Sequence, residues 1–222
     1  MRRVFIALAV VFVGGKAWAQ TPRPDQRPSN DAPHLAMVGI VSAFGKGVPS
    51  NAPNSYAREV KLFRKAAMRG VAPAEQILGL AYYEGHGVPR DYAMAAEWFR
   101  RAAAQGLAPA EFSLGVAYVR GRGVPRDYAL GLKWFRKAAE QGLSPGELDV
   151  GLAYAHGQAV PRNYAKAYEW LALAEATARA GGPSHLRASQ AIKSLEIHMS
   201  PTQIADAQSS ALAWFKSHLA RK

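Results

Sequence analysis

The sequence contains no cysteine and no apolar run long enough to cross a membrane. Without cysteine no disulfide bond can form, so the fold must be stabilised by packing alone. The apolar run near the N-terminus, Val4–Gly15, has twelve residues, whereas a membrane-spanning helix needs about 20. Acidic residues are also few. There are 16 of them against 28 basic residues, which gives a formal net charge of +12 at neutral pH.

The common motifs of hydrolases and metalloenzymes are absent as well. None of the six histidines lies four residues from another, and neither H-E-x-x-H nor G-x-S-x-G occurs. The pairs Gly85-x-Gly87 and Gly121-x-Gly123 follow predicted helices rather than strands, which argues against a dinucleotide-binding loop. These absences predict that the chain is not an enzyme and holds no metal or cofactor.

What the sequence does contain is a recurring segment of 36 residues, Pro73–Ala108. It returns as Pro109–Ser144 and, more loosely, as Pro145–Ala180. A fixed period of this length indicates a stacked array of repeats. In each copy the apolar spacing predicts two helices joined by a Gly-rich turn. The predicted fold is therefore all-α: an α-solenoid, or α/α superhelix, of stacked helix-turn-helix repeats.

Recurring residues predict where the helices of each copy begin and end. Asp91 suits the N-cap of the second helix, and Asp127 and Asn163 take its position in the later copies. Gly106 and Gly142 suit the turn that ends the second helix, because glycine adopts left-handed backbone angles without strain.

Three other recurring positions are interpreted as structural. Glycine in mid-helix costs about 1 kcal/mol relative to alanine, so a neighbouring helix is expected to lie too close there for a Cβ. A recurring tryptophan could form a ligand cage, but packing between repeats is the favoured interpretation. A recurring glutamate falls in the first turn, where a carboxylate favours the helix dipole, and this is preferred to an acid–base role. The three sets are Gly79, Gly115 and Gly151; Trp98, Trp134 and Trp170; and Glu75, Glu111 and Glu147.

Taken together, these positions resemble the Sel-one-like repeat (SLR) family, a relative of the tetratricopeptide repeats. The family pattern is roughly A-x-x-x-L-G-x-x-Y-x-x-G-x-G-V-x-x-D-x-x-x-A-x-x-W-x-x-x-A-A-x-x-G. The first copy meets it at Ala74, Leu78, Gly79, Tyr82, Gly85, Gly87, Val88, Asp91, Ala95, Trp98, Ala102, Ala103 and Gly106. The second copy departs from it at Gly131, and the third at Ala159 and Glu175. The resemblance, over about residues 33–180, implies an α-solenoid that binds other macromolecules and has no chemistry of its own.

The N-terminal residues have the features of an exported protein. Residues 1–19 resemble a secretory signal peptide: Arg2 and Arg3 precede the apolar run, and Ala17-Trp18-Ala19 is a cleavage motif. We expect cleavage at Ala19 and a periplasmic or secreted mature chain without a transmembrane segment. Residues 20–32 are polar and proline-rich, which predicts a disordered linker.

The remaining boundaries follow from the period. The array is predicted over residues 33–182, in copies at 33–72, 73–108, 109–144 and 145–180, of which the first is degenerate. Residues 183–222 lose the period and are predicted to form a C-terminal helical cap. Within it, Ser200-Pro201-Thr202-Gln203 has the sequence of a capping box.

A binding surface is predicted from positions that vary between copies while the packing positions stay fixed. These are the fourth, eighth, eleventh and twelfth positions of each copy, which fall on one face of the first helix. In related arrays the first helices line the concave face. The predicted groove consists of Gln76, Leu80, Tyr83, Glu84, Phe112, Val116, Val119, Arg120, Leu148, Leu152, Ala155 and His156.

Three functions remain open at this stage. The favoured one is an exported scaffold or adaptor that binds a protein or peptide in the groove. The second is a protein that binds a cell-envelope polymer such as a peptidoglycan fragment, and the least favoured is a β-lactam or cell-wall hydrolase. The basic charge, with Arg90, Arg126 and Arg162 at one repeat position, could attract an anionic envelope surface or be a solvated surface. No nucleic-acid partner is expected.

Overall fold

The computed structural model describes residues 55–219, and all the regular structure within that range is α-helical. The predicted signal peptide, the linker and the first half of the degenerate repeat lie outside the described residues. The helices in order are α1 Ser55–Ala67, α2 Ala72–Glu84, α3 Tyr92–Ala104, α4 Ala108–Arg120, α5 Tyr128–Glu140, α6 Ser144–His156, α7 Tyr164–Thr177, α8 Pro183–Glu196 and α9 Pro201–Leu219. No helix in this range is both long and apolar enough to cross a bilayer.

The helices form a stack of antiparallel pairs. Helix α2 packs on α3, α4 on α5 and α6 on α7, and each pair meets the next through the α3–α4 and α5–α6 contacts. At the C-terminal end α8 packs on both α7 and α6, and α9 packs on α7. This arrangement confirms the predicted all-α solenoid of helix-turn-helix repeats.

The helix boundaries are fixed by the residues that recur. The side chain of Asp91 accepts a hydrogen bond from the Met94 amide at 3.0 Å, and Asp127 accepts one from the Leu130 amide at 2.9 Å. Such N-caps satisfy amides that have no partner within the helix. Gly106 and Gly142, which follow the second helices α3 and α5, have left-handed φ angles of 77° and 82°. The predicted N-caps and turn glycines are therefore confirmed.

Mid-helix glycine allows close contact between the two helices of each pair. A Cβ on Gly79 would lie 2.5 Å from the ring of Phe99, and one on Gly115 would lie 2.6 Å from the ring of Phe135. In the last pair a Cβ on Gly151 would lie 2.7 Å from Leu171. These distances are far inside van der Waals contact, so the second helix can seat its large side chain only where the first has no Cβ. The close approach expected from the sequence is confirmed.

The third copy keeps its turn without the usual glycine. Gly87 and Gly123 have φ of 70° and 75°, and Ala159 takes their position with φ of 58°. A left-handed alanine costs about 1–2 kcal/mol. The repeat fold therefore imposes this backbone conformation even where the sequence departs from the pattern.

The tryptophans join neighbouring repeats. Trp98 is 8% exposed and lies in a cluster with Val60 and Leu78, which belong to the preceding helices. Trp134 packs against the cluster that contains Phe99 and Leu114, and the third tryptophan, from α7, occupies the same place one repeat later. Trp98 is thus inter-repeat core, and Trp134 and Trp170 are half-buried against the clusters of neighbouring helices, which supports the packing interpretation made from the sequence.

The last two helices, α8 and α9, pack on the last repeat. Ser200 and Gln203 form the predicted capping box: the Gln203 amide donates to Ser200 Oγ at 3.2 Å, and the Ser200 amide donates to Gln203 Oε1 at 2.8 Å. Ile192 and Leu195 of α8 join a core cluster with Leu171. This cap therefore extends the apolar core beyond the last repeat.

Candidate binding groove

Two adjoining cavities lie along the first helices of the repeats. The Tyr83 compartment has a volume of about 420 Å³, and the His156 compartment has a volume of about 240 Å³. The Tyr83 compartment is lined by Leu80, Tyr83, Glu84, Phe99, Phe112, Ser113, Val116, Arg120, Asp149 and Arg187. The His156 compartment is lined by Val116, Val119, Arg120, Tyr128, Leu132, Phe135, Asp149, Leu152, Ala153, His156 and Gln158. Because both share Val116, Arg120 and Asp149, they form one groove with two apolar halves.

Nine of the twelve residues predicted for the groove line these compartments. They are Leu80, Tyr83, Glu84, Phe112, Val116, Val119, Arg120, Leu152 and His156. Four repeat positions chosen only because they vary between copies thus meet along one surface.

The other three predicted residues do not line the groove. Gln76 is 3% exposed, and its amide donates to Ser113 Oγ at 3.0 Å, so it bonds α2 to α4 inside the stack. Leu148 is 2% exposed in the core cluster with Leu171 and Ile192, and Ala155 packs against the same cluster. Helix α8 packs on α6 and covers the face of the last repeat that the prediction left open. For these three positions the sequence prediction is corrected.

Nine lining residues lie outside the sequence prediction, and three of them, Ser113, Asp149 and Arg187, bring polar or charged groups from first helices or from α8. Asp149 and Ser113 occupy the fifth position of their copies, where the first copy has Ile77. This position also changes chemistry from copy to copy, so the criterion of variability could have included it. Arg187 belongs to α8, outside the periodic region. No repeat pattern could have placed it in the groove.

Two charged side chains, Arg120 and Asp149, lie where the two compartments meet, and Arg187 and Glu84 line the Tyr83 compartment alone. Burial raises the pKa of the Asp149 carboxyl to about 6, and the guanidinium groups of Arg187 and Arg120 act in the opposite direction. Glu84 also lines the Tyr83 compartment, and its carboxylate lies 3.0 Å from Nδ1 of His86. The groove therefore holds two guanidinium groups, those of Arg120 and Arg187, and two carboxyl groups, those of Asp149 and Glu84.

Tyr83 has a structural role in addition to its place in the groove wall. Arg122, from the turn of the next repeat, donates to the Tyr83 hydroxyl at 2.6 Å. Its guanidinium also lies 5.3 Å from the centre of the Tyr83 ring and 5.2 Å from that of Tyr92. Tyr83 therefore binds its own repeat to the next one. A Tyr83 substitution will change stability as well as the groove, and any binding test must separate the two effects.

The arginines at the recurring turn position lie against tyrosines of the same turn. Arg126 lies 4.6 Å from the centre of the Tyr128 ring, and its Nε donates to the carbonyl of Val119 at 3.1 Å. The equivalents in the other two copies lie over their tyrosines at 5.5 and 5.7 Å. Such cation–π contacts contribute about 0.5–1 kcal/mol at exposed sites. These arginines thus help to hold the turns, although their heads remain at the surface.

The recurring glutamates are buried away from the groove. Glu75 Oε2 accepts a hydrogen bond from Gln105 at 2.7 Å, and Glu111 Oε2 accepts one from Gln141 at 2.8 Å. In the last copy the Thr177 hydroxyl donates to Glu147. Burial raises the pKa of all three carboxyls. Raised pKa values can mark catalytic groups, but each glutamate here bonds the first helix of its repeat to the end of the second. The structural interpretation made from the sequence is supported.

Within residues 55–219, no group of three or more histidine, aspartate and glutamate side chains is arranged to hold a metal ion. The features of the groove that bear on binding are therefore its apolar walls and its charged side chains.

Comparison with known proteins identifies the repeats. The Sel1 repeat model matches residues 35–71, 72–107, 108–143 and 144–176. Among solved structures, a Sel1 repeat protein from Oxalobacter formigenes is 26% identical, with a TM-score of 0.59 over 71% of this chain and 57% of the other. The protective antigen c5321 of uropathogenic Escherichia coli, which displays an SLR fold, is 24% identical, with a TM-score of 0.55 over 83% of this chain and 45% of the other. The chain thus spans about half the length of these relatives.

Comparison with curated proteins gives no match. The repeat matches cover more than half of the sequence, and the boundaries between successive matches fall at the turns between the observed helix pairs. Together, the matched repeats and the stacked helix pairs show that the chain belongs to the Sel1 repeat family.

Proposed function

We propose that the protein is an exported, non-enzymatic scaffold that binds a segment of another protein in the groove between Leu80 and His156. Sel1 repeats generally mediate protein–protein interaction, which supports the general class of function. The groove itself is the observation that carries the specific proposal. Nine of its lining residues come from positions that vary between copies, whereas the residues that pack the stack recur.

The shape and chemistry of the groove suit an extended peptide. Two apolar halves meet at a polar centre, and the half-buried walls include the aromatic rings of Tyr83 and Phe112. Aromatic and arginine side chains in such pockets commonly carry most of the binding energy.

Export is part of the proposal and rests on residues 1–19. Processing by a signal peptidase after Ala19 should give a mature chain that begins at Gln20. N-terminal sequencing of protein collected from the cell envelope or the medium is the measurement. Exported protein that retains Met1 would contradict this part of the proposal and leave the binding groove unaffected.

Removing the aromatic side chains of Tyr83 and Phe112 from the groove wall should weaken binding strongly. We expect the double substitution Tyr83→Ala with Phe112→Ala to lower capture of the partner from an envelope extract by about tenfold or more. The Phe112 ring also contacts Phe135, with centres 5.2 Å apart, so the variant will be less stable as well as altered in the groove. Capture is therefore measured below the unfolding temperature of the variant, with helical content followed by circular dichroism.

Two further variants separate binding from stability. Met94→Ala with Ile197→Ala removes two exposed apolar side chains outside the groove and should leave capture unchanged. Tyr83→Phe keeps the ring but removes the hydroxyl that accepts from Arg122, so it should lower stability more than capture. If the double variant stays helical and captures the partner as well as the unaltered protein does, the groove is not the binding surface.

A further inference from the structure

Helix α1 lies at the N-terminal end of the described array and has one strongly basic face. Val60 and Ala67 are buried in a cluster with Leu78 of α2, which fixes the inner side of the helix. Met68 follows the helix and is 75% exposed. The basic residues of α1 are also all exposed, and with Met68 they form the outer face of α1: Arg58, Lys61, Arg64 and Lys65.

The exposure of this face follows from its place in the repeat. The later copies also have exposed residues at the positions of Lys65 and Met68, namely Arg101, Lys137, Ala104 and Glu140. Both helices of those later pairs are described, and neither covers these positions. The outer face of α1 is therefore expected to stay open whatever residues 33–54 do, which lie outside the described residues.

Among the second helices of the repeats, α1 alone has no carboxylate at these positions. The outer positions carry a net charge of +4 in α1, +1 in α3, +2 in α5 and 0 in α7. The carboxylates that lower the charge of the later helices are Glu97, Glu140 and Glu169. The acidic residue of α1, Glu59, takes the position of Ala95, which is fully buried, and is itself half-buried. Positive charge is thus concentrated at one end of the array.

Exposed apolar side chains lie among these basic ones. Leu62 is 66% exposed and Met68 is 75% exposed. The counterparts of Met68 in the next two copies are Ala104 and Glu140, so the stack itself does not require a large apolar side chain there. A helix face that is both basic and apolar has the chemistry of an interfacial helix, whose cationic groups meet lipid phosphates while its apolar groups enter the headgroup region.

We propose that the outer face of α1 docks the array on an anionic phospholipid bilayer, with Arg58, Lys61 and Lys65 at the lipid phosphates and Met68 in the headgroup region. Each lysine or arginine held near an anionic bilayer strengthens binding about fivefold. No residue of α1 lines either compartment of the groove. The array can therefore hold a peptide while it is bound to a membrane. A soluble polyanion would meet the same charges but would gain nothing from Met68.

Vesicles of two compositions test this docking. The protein, purified as its host cell processes it, is sedimented with vesicles of phosphatidylcholine alone or of equal parts phosphatidylcholine and phosphatidylglycerol. It should bind the anionic vesicles and not the neutral ones. Binding should weaken as salt increases, because the charges of the outer face are exposed and are screened by salt.

Substitutions on the outer face should weaken vesicle binding. Lys61→Gln with Lys65→Gln removes two exposed positive charges and should lower the affinity for anionic vesicles about 20-fold. Arg64 is left unchanged, because it donates to the Tyr82 hydroxyl at 2.8 Å and so also binds α1 to α2. Circular dichroism checks that the variant keeps its helical content.

The matched control removes the same charge elsewhere. Lys193→Gln with Lys216→Gln neutralises two exposed lysines of α8 and α9 and should leave vesicle binding within about twofold of the unaltered protein. Met68→Ala should weaken binding to anionic vesicles several-fold, with the effect persisting in high salt, and leave binding to immobilised inorganic polyphosphate unchanged.

Three results would each overturn the inference. Equal binding to the two kinds of vesicle, or no binding to either, would exclude docking by charge. An equal loss in both lysine pairs would show that net charge rather than the outer face of α1 decides. Polyphosphate binding as tight as vesicle binding, with no effect of Met68→Ala on either, would indicate a general polyanion site. The groove is tested separately, because capture of its partner without membranes should be unaffected by Lys61→Gln with Lys65→Gln.

Discussion

Replacing Trp134 by alanine is expected to lower the free energy of unfolding by about 3 kcal/mol, the lower end of the range for deletion of a large aromatic side chain, because the ring is half-buried. The indole extends from α5 onto the cluster formed by Phe99 and Leu114 in the preceding helices. Lys137 adds a cation–π contact, with Nζ 4.4 Å from the ring centre. In a repeat array each unit is stabilised by its own packing and by its contacts with neighbours. Loss of this ring therefore weakens one of the few interfaces that hold the stack together.

The matched comparison is Leu62, which occupies the tryptophan position of the degenerate repeat. Its side chain is 66% exposed, so Leu62→Ala should cost about 0.5 kcal/mol or less. Denaturant unfolding of both variants, followed by circular dichroism at fixed pH, gives the two free energies. Equal shifts of the two midpoints would contradict the view that Trp134 is an inter-repeat contact.

Most of the fold could be predicted from the sequence because its determinants are local and repeated. Asp91 caps a helix through an amide three residues away, and Gly79 is required by a ring in the partner helix of its own repeat. Each such contact spans only a short stretch of chain, so the same residues recur at the same spacing. Because the same pattern occurs in three copies, the position of each helix and each turn is indicated three times in the sequence.

The part of the site that could not be predicted depends on the cap. Variation between copies identified most of the groove wall, but it also included Leu148, which α8 buries. It left out Arg187, which reaches the groove from α8. Both differences come from contacts between the cap and the last repeat, and these have no counterpart elsewhere in the chain. A prediction made from recurring repeat positions cannot locate the contacts of α8, because these contacts occur only once in the chain.

A second large effect is expected from Glu147, which is fully buried on α6. Burial raises the pKa of its carboxyl from 4.5 to about 7, while the hydrogen bond from Thr177 acts in the opposite direction. The other carboxylate oxygen has no hydrogen-bond partner within the described residues. The folded protein thus favours the protonated form of this group, and the unfolded chain titrates at the ordinary pKa of glutamate.

The direction of the pH dependence follows from these two pKa values. The folded-state pKa is the higher one, so the stabilising contribution is complete below the unfolded pKa and is lost as pH rises towards the folded pKa. Between about pH 4.5 and pH 7 the free energy of unfolding should fall by about 3 kcal/mol through this group alone. The Asp149 carboxyl, raised to about 6, contributes in the same direction. The effect of Glu147 must therefore be isolated by substitution.

Glu147→Gln should stabilise the protein at alkaline pH and change little in acid. Glutamine is neutral at every pH and keeps an oxygen that can accept from Thr177, so the variant should exceed the unaltered protein by up to about 3 kcal/mol near pH 8 and by almost nothing near pH 4.5. Urea unfolding at the two pH values gives the difference. Glu111→Gln is the matched control, because Gln141 and the nearby charge of Lys137 both lower the pKa of that buried carboxyl, and its effect should be smaller. A gain that is equal at both pH values would show that the buried charge of Glu147 is not its cause.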